Sequence, residues 1–191
     1  MLRETLVFAL YSCVIIIPLS VWMKKRNGNI SKILLYSIFI VYIFGFIAQI
    51  CLPINYRGTS ILENIKNYPY NEYIYIILFK QKYFDINQGD ALLRIIKSYI
   101  LNIILTIPFG VLFPLIKPVK TKNIIWIAVM VGIIAETIQL STGLIFGNQF
   151  RITHIDDVIM NAIGVIIGFL ILKVIKNMEY MKYLKIDTKY Q

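Results

Sequence analysis

Two apolar stretches within residues 132–168 hold the side chains of this chain that could do chemistry. The first carries Glu136 and Gln139, the second Asp157 and Asn161, and the loop between them carries Arg151, His154 and Asp156. An ionisable group at the centre of a bilayer costs about 2.5–3.5 kcal/mol on insertion scales, so such groups mark a functional site by default. Glu136 and Asp157 form a carboxylate pair of the kind that serves acid–base catalysis when their environments separate the two pKa values. Arg151 offers a planar fork to a carboxylate or a phosphate. An excess of negative charge over Arg151 would suit a cationic group on a ligand. His154 with Glu136, Asp156 and Asp157 is a thin donor set for a divalent ion, so neither a metal nor a cofactor is expected. Ser141 and Thr142 lie near Glu136 without a convincing base partner, and no glycine-rich phosphate loop, G-x-S-x-G or H-E-x-x-H run occurs.

The same residues also admit structural roles. Glu136 and Gln139 would hydrogen-bond between helices, and either Asp156 or Asp157 would cap the N-terminus of the helix that follows.

The elements that must position these groups are read from hydropathy. Of the 191 residues, 58% are hydrophobic and 16% charged, and the mean hydropathy is +0.70. The expected fold is an all-α, polytopic transmembrane helix bundle forming a single domain, with about five spans at 6–23, 33–52, 98–116, 124–140 and 157–174. The first run is too long for a secretion-signal core and lacks a small-x-small cleavage site, so it reads as a retained span. Cys13 and Cys51 both fall inside spans, which argues against a disulfide framework.

The net charge of +10 does not form a basic stripe on a soluble fold, so nucleic acid is not an expected partner. Instead it collects in short loops. Lys24, Lys25, Arg26 and Lys32 follow the first span; Lys117, Lys120 and Lys122 follow the third; Lys173, Lys176, Lys182, Lys185 and Lys189 close the chain. Across the membrane Arg3 and Arg151 stand alone in the short segments; the long segment 54–97 holds six basic and four acidic residues, and long loops weigh less in this rule. This distribution predicts the N-terminus outside and the C-terminus in the cytoplasm. The outer segment 54–97 is rich in tyrosine, with Tyr56, Tyr68, Tyr70, Tyr73, Tyr75 and Tyr83. Its run 73–79 is too short to span and would lie in the interface or cover the bundle, and Asp90 would cap a helix that feeds the third span.

Helix phase then relates the polar groups to the glycines. Gly132, Glu136, Gln139 and Gly143 step by four, three and four; Asp157, Asn161, Gly164 and Gly168 do the same. Asn102, Thr106 and Gly110 step by four, with Pro108 as an expected helix break. Small residues let helices approach and polar ones bond across the contact, so Gly110, Gly132, Gly164 and Gly168 are expected at helix contacts. The three faces would meet around an outer-leaflet polar site made by Asn102, Glu136, Gln139, Arg151, Asp156, Asp157 and Asn161.

Three motifs in this order resemble those of the VanZ-like family of small bacterial membrane proteins. They are N-x-x-x-x-x-P-F-G-x-x-x-P at 102–114, E-x-x-Q at 136–139 and R-x-x-x-x-D-D-x-x-x-N-x-x-G-x-x-x-G at 151–168. One position departs: members often carry an acid where this chain has His154. The resemblance implies a multi-pass protein of the bacterial cell membrane, associated with low-level resistance to the lipoglycopeptide teicoplanin, and brings no catalytic mechanism. The expected partners are membrane lipids and a lipid-linked cell-wall precursor or lipoglycopeptide. The expectation is a non-enzymatic protein that binds or shields a lipophilic envelope ligand. Two alternatives stand beside it: an intramembrane enzyme acting on a lipid head group, and a small transporter, for which five spans without a repeat are few.

Overall fold

A computed structural model of the chain describes residues 2–25, 29–51, 60–67, 74–75, 89–146 and 153–187. The helices are α1 (Leu2–Lys25), α2 (Ile30–Cys51), α3 (Ile61–Asn67), α4 (Gly89–Ile116), α5 (Ile124–Phe146) and α6 (Ile155–Asp187). A 3-10 turn, Thr121–Asn123, leads into α5. Four stretches are long and apolar enough to cross a membrane: Ile30–Cys51, Ile95–Ile116, Thr121–Phe146 and Ile155–Asn177. With the 24-residue α1 at the place of the first expected span, the protein is an all-α, multi-pass membrane bundle of four to five spans.

Local signals set the helix starts. Asn29 stands before α2, where its Oδ1 accepts the Ser31 amide at 3.1 Å. Ser60 Oγ accepts the Glu63 amide at 3.2 Å at the head of α3, and the S-I-L-E run is a capping-box sequence. Pro118 blocks continuation of α4, whose last turn closes through Lys117 N–H to the Phe113 carbonyl at 2.9 Å.

The bundle is organised around α6, the most enclosed of the spanning helices. It packs most extensively on α4 and next on α5, while α2 touches both of those and α1 lies against α2. Val165 is fully buried and joins Ile124, Ala128, Ala162 and Phe169 in one cluster; Phe46, Ile50 and Ala135 form another. The outward faces are apolar: Trp126 is 74% exposed, and Val14, Leu34, Ile104 and Leu170 also point outward. Apolar exposure on this scale fits lipid rather than water.

Several sequence expectations need correction. Pro108 does not break the helix. Residues 89–116 form one helix with Pro108 and Pro114 inside it. Pro108 takes a hydrogen-bond donor from this turn, and the hydroxyl of Tyr42 donates to the neighbouring Leu105 carbonyl at 3.0 Å. Asp90 falls within the first turn of α4, not ahead of it. Neither Asp156 nor Asp157 is the N-cap of α6. The helix begins at Ile155, so both acids sit in its first turn, where their charge suits the positive end of the dipole.

The segment 54–97 also carries structure that periodicity did not announce. Ile74–Tyr75 (β1) pairs in parallel with Thr153–His154 (β2). Asn64 of α3 donates to the Ile145 carbonyl at the end of α5 at 3.4 Å. Both contacts tie this segment to the α5–α6 connection, at one end of the bundle. Tyr56, Tyr68, Tyr70, Tyr73 and Tyr83, and all of run 73–79 except Ile74–Tyr75, lie outside the described residues.

Candidate functional site

Close backbone approach brings the polar faces together. On Gly164, a Cβ would collide with Thr106 Oγ1 and the Ile103 carbonyl; on Gly168, with the Ile107 carbonyl; on Gly110, with the Val165 carbonyl. These three glycines lie where α4 and α6 touch backbone to backbone. On α5, a Cβ at Gly132 would stand 2.5 Å from the Val158 carbonyl, so α5 meets α6 in the same manner.

This approach lets side chains bond across the contact. Thr106 is fully buried. Its single hydroxyl proton is shared between the Asn102 and Ile103 carbonyls of its own turn, at 3.0 and 3.2 Å, and the Asn161 carbonyl of α6, at 2.8 Å. One turn nearer the α6 N-terminus, Asn102 Nδ2 donates to Asp157 Oδ1 at 2.6 Å. The Tyr99 hydroxyl donates to Asp156 Oδ2 at 3.0 Å, and Asp156 is only 1% exposed. Hydrogen bonds to a carboxylate are roughly twice as strong as neutral ones. Three rungs therefore join α4 to α6.

Beside these rungs lies a cavity of about 470 Å³. Asn102, Glu136, Gln139 and Asn161 line it, from α4, α5 and α6. Glu136 is 7% and Asn161 3% exposed. Among the described residues, Asn161 Oδ1 is buried without a hydrogen-bond partner. A buried acceptor left unsatisfied costs about 1–3 kcal/mol, so this atom stands ready for a donor from elsewhere.

The structure thus brings four of the expected site residues onto one cavity. Asp156 and Asp157 do not line it; Asp156 accepts from Tyr99, and Asp157 accepts from Asn102, which does line the cavity. Arg151 lies outside the described residues. The cavity has a wall that the sequence reading omitted: Gly45, Gln49 and Ile50 of α2. Gly45 and Gln49 repeat the glycine–polar spacing of four seen in α5, which was the available signal. The bond from Tyr99 to Asp156 has no signal in the sequence.

Among the described residues, no three His, Cys, Asp or Glu side chains come together in a way that could hold a metal. The Thr142 hydroxyl donates to its own helix at the Ile138 carbonyl, 2.7 Å away, which leaves it poorly placed as a nucleophile. Cys51 and Cys13 are free.

His154, just ahead of α6, is half-buried. Burial pushes its pKa below the usual 6.5, and the nearby Asp156 charge opposes that shift. The folded state therefore holds its proton less tightly than the unfolded chain. Stability should be highest above pH 6.5 and fall as pH drops from there toward the lowered folded value. Thermal midpoints of the purified protein measured from pH 7.5 to 5 are expected to decline less in a His154→Gln variant than in the parent chain.

A family model described as VanZ/LLP1 matches residues 33–176, most of the chain. No curated protein and no solved structure matches it.

Proposed function

Since the chain belongs to the VanZ/LLP1 family, we propose that it binds a lipophilic envelope molecule through the polar cavity and thereby contributes to tolerance of teicoplanin-type glycopeptides. The supporting observation is the cavity itself. It sits within a membrane bundle, Glu136 and Asn161 line it, and among the described residues Asn161 Oδ1 is buried without a hydrogen-bond partner. A ligand that presents hydroxyl, amide or ammonium donors would satisfy this acceptor, while its apolar part stays in lipid. Lipid-linked cell-wall precursors and lipoglycopeptides both combine such donors with an acyl or prenyl chain.

The loop charges support an orientation with the N-terminus outside and the C-terminus in the cytoplasm. In this reading the cavity opens in the outer leaflet of the bacterial cell membrane, where such molecules are found. The acid–base alternative would need Glu136 and Asp157 on a shared space, and the engagement of Asp157 by Asn102 speaks against it.

The test is expression in a susceptible bacterium, comparing the parent chain with Glu136→Gln and Asn161→Ala at matched membrane levels. The parent chain should raise tolerance to teicoplanin, and both variants should lose most of that increment. Binding of a lipid-linked precursor to the purified variants should weaken by about fivefold for Asn161→Ala, as expected for loss of a neutral hydrogen bond, and by about tenfold or more for Glu136→Gln, which takes the charge from the acceptor. Well-folded variants that keep full tolerance and binding would sink the proposal.

A further inference from the structure

At the opposite end of the bundle from the polar cavity, a second cavity of about 370 Å³ lies between the end of α4, the 3-10 turn and α6. Pro118 and Phe169 give it an apolar wall; Lys173, Lys176, Thr121 and Asn177 supply its polar groups. Among the described residues, none that lines it is acidic. From this arrangement we propose that the cavity binds the phosphate of an anionic ligand, with the head group of an anionic membrane lipid as the fitting source.

Retention of positive charge on one side of a membrane needs only a number of lysines in the loops. It does not require two of them one turn apart on α6, on the face that also carries buried Phe169 and Leu172. Like charges three residues apart on a helix repel, so this pair stands at a cost that a bound anion would relieve. The Thr121 hydroxyl and the Asn177 amide add neutral donors beside the two ammonium groups. Long lysine stems can lie along apolar surface while their heads meet phosphate at the head-group level. The position is the one a lipid would reach from the surrounding leaflet, with its acyl chains along the exposed Leu115 and Val174.

The experiment uses the full chain in detergent and native mass spectrometry, with phosphatidylglycerol, phosphatidylcholine and inorganic phosphate as separate probes. Phosphatidylglycerol should be retained over phosphatidylcholine. Retention should weaken about fivefold for Lys173→Gln or Lys176→Gln alone and about 30-fold for both together. Lys173→Arg with Lys176→Arg should keep it. Lys117→Gln with Lys120→Gln removes the same charge from exposed positions outside the cavity and should cost little. Competition by excess inorganic phosphate separates the sources: lipid retained despite it assigns the site to a head group, and displacement assigns it to a free phosphate species. Equal loss in the Lys117/Lys120 variant, or no loss in the Lys173/Lys176 variant, would overturn the site.

Discussion

Replacing Gly164 by valine is expected to separate α4 from α6 at a large cost in stability. Even a Cβ at this position would fall on Thr106 Oγ1 and on the Ile103 carbonyl. The carbonyl belongs to backbone and cannot rotate away, so the helices themselves must part. Overpacking of a tight core usually costs about 1–3 kcal/mol. Here the displacement also stretches the Thr106 to Asn161 bond and the Asn102 to Asp157 bond, so the upper end of that range, about 3 kcal/mol, is expected. Gly45→Ala provides the contrast, because nothing lies within 4 Å of a Cβ there. Reversible unfolding in mixed detergent should show a large loss for Gly164→Val and almost none for Gly45→Ala. Equal behaviour of the two would mean that backbone contact does not hold α4 on α6.

The contrast between these two glycines also bears on what a sequence can disclose. Both stand within about one turn of a polar side chain in an apolar run: Gly164 is three residues from Asn161, with Thr106 opposite it, and Gly45 is four residues from Gln49. Spacing identifies the face but not the neighbour. One glycine meets a backbone and the other opens on a cavity. The all-α bundle and its longest spans were legible because length and hydropathy decide them without reference to neighbours. The helix faces of Asn102, Glu136 and Asn161 were legible because their period is 3.6 whatever they pack against.

What was hidden depends on contacts remote in sequence. The pairing of β1 with β2 involves two residues on each side, too few for any period to register. Tyr99 looks like any interfacial tyrosine until α6 delivers Asp156 to it. Pro108 was expected to break α4 because an isolated helix would lose a donor and gain a clash there. In the bundle α2 brings the Tyr42 hydroxyl to the Leu105 carbonyl next to that turn, and the packing against α6 holds the helix in place. The same cause explains the missing wall of the cavity. Gln49 is one polar residue on one apolar span, and only the fold places it beside Glu136.

The second large effect concerns Asn102 and Asp157. Asn102→Leu removes a 2.6 Å donor from a carboxylate held at the helix contact, and a loss of about 2–3 kcal/mol is expected for a bond to a charged group. Asp157→Leu removes the charge but strands the Asn102 amide, so its cost should be smaller. The informative variant is the exchange, Asn102→Asp with Asp157→Asn. It keeps a carboxylate–amide bond across the same gap and moves the charge from the first turn of α6 to α4, which has run more than three turns by residue 102. The bond should therefore be regained while the favourable interaction with the α6 dipole is lost, a term of about 0.3–1 kcal/mol and up to about 2 in partly buried settings. The exchange should be more stable than Asn102→Leu and less stable than the parent chain. A full return to parental stability would show that the helix dipole contributes nothing here. A stability no better than Asn102→Leu would show that the acid at 157 acts through its position and not through its bond to α4.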